Sequence, residues 1–238
     1  MKLLISNQHG AIVMALMPFF YGMLLSQPVW AHIFLLLAWF SLYLLSYPFL
    51  NLFKGRNLAQ YKTWVWIYAC AVIIFVIPAL IYNWKILYFA LTIALLSSVS
   101  VYFVKQKNER AFLNNLNGIV IFAVAGMGAY YFADSVWDYK IWQVACYPSL
   151  FFIGTTLYVK SMMRERKNPL YLKLSIIFHI GCILVFLFVQ QYILTLAFII
   201  PLVRAIYLPA KKLSVKQIGL IEMAVSLLFF VILLWATI

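Results

Sequence analysis

The stretch Ile176 to Val203, IIFHIGCILVFLFVQQYILTLAFIIPLV, decides how many times this chain crosses a membrane. Read as one helix it would be roughly 42 Å long by its rise, against a hydrocarbon core of about 30 Å. A single helix would also put the basic residues around Lys160 and those around Lys211 on opposite faces. A tight turn at Gln190-Gln191-Tyr192 removes both difficulties, so the stretch is read as two helices.

Working outward with the same criterion, about 20 apolar residues per crossing, gives spans near 10–25, 31–52, 63–81, 85–104, 113–132, 141–160, 172–190, 192–208 and 217–237. Lipid offers the backbone no hydrogen-bond partner, which leaves helices as the solution for runs this long. The expected fold is an all-α polytopic membrane protein of about nine transmembrane helices, a single transmembrane domain over residues 1–238. Composition agrees: 67% of the residues are hydrophobic, only 10% are charged, and the mean hydropathy is +1.00. A soluble globular domain, a disordered chain, a disulfide-stapled module and a nucleic-acid binder each need a polar surface or a cysteine density that is missing. Cys70, Cys146 and Cys182 all lie in apolar runs, and no Cys/His spacing suits a metal. Near the amino terminus, Lys2, the apolar run Ile12 to Leu25 and Val29-Trp30-Ala31 imitate a signal peptide. Asn7-Gln8-His9 and Pro18 interrupt that pattern, and the segment is read as retained.

Charge sets the expected orientation. Of 18 Lys and Arg residues, 16 fall before span one or in and beside the connections that follow spans two, four, six and eight. Cytoplasmic loops retain such residues, so the amino terminus is expected inside and the carboxy terminus outside. The formal net charge of +13 then belongs wholly to one face, because Lys85 and Lys140 balance Asp134 and Asp138. Trp30, Trp84, Trp137, Trp142 and Trp235 fall at outer span ends and Trp64 and Trp66 at an inner end, the headgroup positions this ring favours.

Three inner loops hold most of the polar residues. Asn51, Lys54, Arg56, Lys105, Arg110, Asn114, Lys160, Arg164 and Arg166 are candidate anion contacts, since Arg and Lys bind phosphates directly; the same bases also serve as anchors to anionic lipid. Asn114 and Asn117 sit one helical turn apart with Arg110 on the same stripe. Within the spans, His9 and His179 lie on the inner side and are the candidate catalytic acid or base, because imidazole titrates near neutrality. His32, near an outer end, is read as interfacial. Arg204 and Glu222 fall on consecutive antiparallel spans about one to one and a half turns from the same boundary, and are expected to form an ion pair. Gly118, Ala125 and Ala129 make a small-residue stripe for close helix packing.

Asn7-Gln8-His9-Gly10-Ala11 with Pro18-Phe19-Phe20, Glu109-Arg110-Ala111-Phe112-Leu113-Asn114 and Tyr158 through Pro169 together resemble the YwiC-like family of bacterial integral membrane proteins. The resemblance covers essentially the whole chain and implies a bacterial inner-membrane setting. More distantly, the span count and the inner loops after spans two, four and six resemble the UbiA-type intramembrane prenyltransferases, whose Asp-rich motifs bind Mg²⁺ and a prenyl diphosphate. Asn51 matches the Asn that opens the first motif, but Gly55 stands where an Asp is required and the second loop offers only Glu165. A hard divalent cation needs several carboxylate oxygens, so Mg²⁺-dependent prenyl transfer is not expected.

The leading expectation is a degenerate UbiA-like protein that binds or modifies a phosphorylated isoprenoid, a quinone-like molecule or an anionic lipid at its cytoplasmic face; whether it is an enzyme is left open. Two alternatives stand beside it. One is a small-solute transporter using Arg204, Glu222 and His179, with Pro18, Pro78, Pro148 and Pro201 kinking spans. The other is a redox-complex subunit in which His9 and His179 hold haem.

Overall fold

A computed structural model of the chain describes residues 4, 9–55, 57–211 and 213–238. Among these, the chain forms nine α-helices and one 3₁₀ turn: α1 (His9–Leu25), α2 (His32–Leu52), α3 (Leu58–Tyr82), the turn Trp84–Ile86, α4 (Leu87–Lys105), α5 (Phe112–Phe132), α6 (Tyr139–Met162), α7 (Pro169–Phe188), α8 (Tyr192–Tyr207) and α9 (Val215–Thr237). Six segments, the helices α2, α3, α5, α7 and α9 and the stretch Trp84–Lys105, are long and apolar enough to cross a membrane. α1 and α8 are apolar but shorter. Large side chains such as Ile73, Ile74, Ile81, Leu95, Phe188 and Leu227 stand more than half exposed, a surface that water would penalise and hydrocarbon does not.

The break at Gln190-Gln191 has a defined mechanism. Gln190 adopts a left-handed backbone with φ of 59°. Its N–H donates to Leu187 O at 3.0 Å, while that of Gln191 donates to Phe186 O at 2.8 Å. This is the Schellman closure of a helix, here with Gln in the place usually taken by Gly. Downstream, Ser214 caps α9 through a reciprocal capping box with Gln217, and Asn168 caps α7 ahead of Pro169 at its first position.

The chain divides into two compact units within α6, residues 1–145 and 146–238. In the first unit α2 and α3 form an antiparallel pair, and α1 packs closely on α5. The close approach depends on glycine: a Cβ on Gly126 would lie 2.6 Å from the Pro18 carbonyl oxygen, and one on Gly22 would run into the Gly126 carbonyl. Gly118, by contrast, has nothing within 4 Å of its Cβ position. Of the expected small-residue stripe, Ala125 and Ala129 are buried in one cluster with Ala15 and Phe19 of α1, and Gly126, not Gly118, is the glycine in contact.

Side chains reaching backbone carbonyls tie this unit together, as they must where no water can satisfy them. Trp39 Nε1 donates to Ala15 O at 2.9 Å, and Asn117 Nδ2 donates to Leu96 O and Ser100 Oγ, both at 2.9 Å. Asn83 Nδ2 donates to Phe132 O at 2.9 Å. His32 is not interfacial: it is buried, accepts from Val29 N–H at Nδ1 and donates from Nε2 to Ala129 O at 2.9 Å. Two satisfied ring nitrogens make it a fixed strut between α2 and α5.

In the second unit, α6 from Cys146 onward packs with α7, α8 and α9 in successive layers. Phe151, Phe186, Phe198 and Phe229, one ring from each helix, form an aromatic layer, with Phe151 on Phe229 at 4.1 Å and Phe186 on Phe198 at 5.3 Å between centroids. At the end bearing the 163–168 and 208–214 connections, Met162, Ala205 and Ile218 form an apolar plug with Tyr158. Polar side chains lie between.

Candidate functional site

Four candidate anion contacts of the first unit, Asn51, Lys54, Lys105 and Asn114, make contacts with protein groups. Asn51 Nδ2 donates to Tyr47 O on its own helix at 2.8 Å. Lys54 pairs with Glu109 at 2.7 Å, and the Lys105 ammonium lies 5.4 Å above the Phe53 ring, so the connections after α2 and α4 meet at one end of this unit. Asn114 Nδ2 donates to Glu109 O at 2.8 Å and holds that connection's backbone, while Asn117 faces α4 instead of sharing a stripe with the exposed Arg110. Lys54 and Glu109 are both more than a third exposed, and exposed pairs contribute little. Lys54→Met is therefore expected to change the unfolding free energy by less than about 1 kcal/mol, a shift readable in detergent melting curves. Arg56 and the side chain of His9 lie outside the described residues.

The second unit is different in kind. Seven residues along from the aromatic layer, a spacing of two turns or about 10 Å, stand Tyr158 on α6, His179 on α7 and Glu222 on α9; Arg204 on α8 is six from Phe198. Tyr158 and His179 are fully buried, and Arg204 and Glu222 nearly so. Arg204 Nη1 donates to Glu222 Oε2 in a salt bridge. The Arg204 guanidinium carbon lies 4.3 Å from the centroid of the Tyr158 ring, a cation–π contact that leaves its N–H groups for hydrogen bonds elsewhere.

Most of the remaining polar atoms in this layer have no partner among the described residues. They are Arg204 Nε and Nη2, Glu222 Oε1, Tyr158 Oη, Thr155 Oγ1 and His179 Nε2. His179 Nδ1 donates to Ser175 O at 2.6 Å, which leaves Nε2 of the neutral ring as an acceptor. That nitrogen packs against Gly154, where a Cβ would lie 2.7 Å away. The space an axial iron would need at Nε2 is filled by α6, so this arrangement does not suit haem ligation. Among the described residues no group of three or more Asp, Glu, His or Cys could hold a metal.

At the loop end of the same unit a cleft of about 230 Å³ is lined by Ser161, Met162, Arg166, Lys167, Pro169, Leu172 and Pro209. Arg166 and Lys167 make its mouth basic. Lys160, one turn back on α6, is mostly buried with its ammonium 5.7 Å above the Tyr171 ring, and Arg164 is exposed. Among the eight candidate anion contacts that are described, Arg166 alone lines this cleft.

Sequence reasoning paired Arg204 with Glu222, singled out His179, and missed Tyr158 and Thr155. One signal was available. Tyr158, His179 and Glu222 each stand seven residues from a phenylalanine of the aromatic layer, a spacing that keeps both on one helix face.

Comparison with known proteins places this architecture. A family model described as YwiC-like protein matches residues 5–130. An uncharacterized protein of Haemophilus influenzae is 66% identical over 237 residues, covering 100% of both chains. The uncharacterized protein YwiC of Bacillus subtilis is 32% identical over 233 residues, 98% of each chain, so that match extends along both units. No solved structure matches the fold. On the family match and on full-length identity to the Bacillus protein, the chain belongs to the YwiC-like family.

Proposed function

We propose that the chain is a bacterial inner-membrane protein that binds the phosphate group of an amphiphile, a phosphorylated isoprenoid or an anionic lipid, in its carboxy-terminal four-helix unit. One observation carries the reading: a buried guanidinium whose Nε and Nη2 edge has no hydrogen-bond partner among the described residues. Those two N–H groups form the fork that takes two oxygens of a phosphate or carboxylate side by side. The salt bridge to Glu222 uses only Nη1 and so leaves the fork intact. Arg166 and Lys167 at the cleft give an incoming anion a basic entrance. Met162 lines the cleft and packs with Ala205 and Ile218, so in this reading the head group passes that apolar plug to reach the fork.

In this proposal the basic connections face the cytoplasm, the chain crosses nine times, and the amino terminus is inside, following the retention of Lys and Arg in cytoplasmic loops. The meeting of the connections after α2 and α4 supports the UbiA-type part of the reading. The Asp-poor loops separate it from Mg²⁺-dependent prenyl transfer, and the chemistry assigned is binding.

The test compares farnesyl phosphate with farnesol on protein held in nanodiscs. The phosphate is expected to bind at least tenfold more tightly. Arg204→Lys keeps the charge and the partner Glu222 but removes the fork, and is expected to weaken farnesyl phosphate by about 10- to 100-fold, the value of a charge-assisted hydrogen bond or two. Equal retention of phosphate and alcohol by the parent protein would overturn the reading.

A further inference from the structure

Resting on that reading of the same site, we infer that the amphiphile's head group joins its phosphate to a primary ammonium, the phosphate taken by the Arg204 fork and the ammonium by Glu222 Oε1. The inference starts from how the ion pair is made. Arg and a carboxylate frequently meet fork to fork, two N–H groups on two oxygens. Here the contact is end-on, from Arg204 Nη1 to Glu222 Oε2. One donor edge of the guanidinium, Nε with Nη2, and one carboxylate oxygen, Oε1, have no hydrogen-bond partner among the described residues. The two residues are only 4% and 7% exposed, so water does not readily answer for either group.

The unused groups make opposite demands. Nε and Nη2 only donate, and an ionised carboxylate oxygen only accepts. A phosphate answers the guanidinium edge but brings nothing for Oε1, and leaving a buried acceptor without a donor is unfavourable. An ammonium supplies N–H donors together with the charge a carboxylate prefers. The two groups are also close. Nη2 is joined to Nη1 through the one guanidinium carbon and Oε1 to Oε2 through the one carboxyl carbon, so only the salt bridge itself separates donor edge from acceptor. A head group with a short spacer between phosphate and ammonium spans that separation.

Charge balance leads to the same class of ligand. Arg204 and Glu222 sum to zero, and a phosphodiester monoanion alone would leave the buried layer at minus one, which is unfavourable where little water screens it. A phosphodiester that carries its own ammonium leaves the sum at zero. The other free acceptor of the layer, His179 Nε2, is packed against Gly154, where a Cβ would lie 2.7 Å away. Glu222 Oε1 is therefore the acceptor assigned to the ammonium. The Tyr158 and Thr155 hydroxyls, also without partners among the described residues, can donate or accept and so do not discriminate between head groups.

Three dihexanoyl lipids that share acyl chains and phosphodiester test the inference on the parent protein, without any variant. Phosphatidylethanolamine carries a cation with N–H donors, phosphatidylcholine a cation with none, and phosphatidylglycerol hydroxyl donors without a cation. In isothermal titration of the full chain in dodecyl maltoside, phosphatidylethanolamine is expected to bind at least about tenfold more tightly than either of the others, the value of one charge-assisted hydrogen bond. Glycerophosphoethanolamine, the same head group without acyl chains, separates a free ligand from a lipid. It is expected to bind more weakly than the lipid; equal binding would keep the ammonium and overturn the amphiphile. Glu222→Gln keeps the side chain's shape but removes its charge, so the layer becomes plus one. This variant is expected to bind phosphatidylglycerol at least as tightly as phosphatidylethanolamine, reversing the order of the parent.

A parent protein that binds phosphatidylethanolamine no more tightly than phosphatidylglycerol or phosphatidylcholine would overturn this inference and leave the phosphate-binding reading standing. An unchanged order in Glu222→Gln would overturn the assignment of the ammonium to that carboxylate. Failure of the parent to bind any of these probes, or farnesyl phosphate, would overturn both readings.

Discussion

Replacing Arg204 by Ala is expected to destabilise the protein by about 3–5 kcal/mol, the usual cost of leaving one member of a buried ion pair behind. The reason is Glu222. It is 7% exposed and its Oε1 already lacks a partner; without the guanidinium its Oε2 loses its partner as well. The double substitution Arg204→Met with Glu222→Leu is expected to recover most of the loss and come within about 2 kcal/mol of the parent, because well-packed apolar residues replace buried pairs at little net cost. Reversible unfolding in mixed detergent and dodecyl sulfate micelles measures both. A double variant no more stable than Arg204→Ala would show that the pair does not act as a unit. The same double variant is expected to have lost its preference for farnesyl phosphate over farnesol, separating the fold's need for charge balance from the ligand's need for a fork.

The second large effect is expected at the crossing of α1 and α5. Gly126→Leu places its Cβ against the Pro18 carbonyl, at 2.6 Å from oxygen and 2.8 Å from carbon. Both atoms belong to a helix backbone and cannot swing aside as a side chain would. Overpacking ordinarily costs about 1–3 kcal/mol, and this contact belongs at or above the upper end. α1 is held to its neighbours by the crossing and by the Trp39 bond to Ala15 O; separation of the helices would disturb both. Gly118→Ala, on the same helix with nothing within 4 Å, is expected to be neutral or stabilising by up to about 1 kcal/mol through helix propensity. If the two substitutions behaved alike in the same unfolding assay, the crossing would not be where the packing energy lies.

Much of the fold was legible because it rests on local rules. The hairpin at Gln190-Gln191 follows from length alone, and the other helices follow from apolar runs ended by Asn, Gly, Pro or clustered bases. The proximity of Arg204 and Glu222 is arithmetic, since a short connection between antiparallel helices puts residues at equal depth side by side. What local rules do not hold is partner identity. Gly118, Ala125 and Ala129 share a stripe by spacing, but only the position of α1 shows that the alanines and Gly126, and not Gly118, are the ones in contact. His32 sits near a helix end, where sequence position suggests a headgroup neighbour; its burial depends on α5 lying across it. The loop bases look alike in sequence, yet Lys54 meets a carboxylate, Lys105 and Lys160 meet aromatic rings, and Arg166 lines a cleft. Long flexible side chains take partners from whatever the fold brings near, which charge counting does not reveal. The division of the chain inside α6 has no signal either, because it falls within a continuous helix and not in a linker.

The aromatic layer of Phe151, Phe186, Phe198 and Phe229 has an electrical consequence. A membrane must not leak protons, and buried Arg, Glu, His and Tyr side chains at one level are the beginnings of a conducting chain. Four phenyl rings in contact, at centroid separations of 4.1, 5.3 and 5.4 Å, offer no hydrogen-bonding atom by which such a chain continues. Along this unit the layer acts as insulation, because a hydrogen-bonded chain among the polar side chains finds no polar atom on these four rings through which to run.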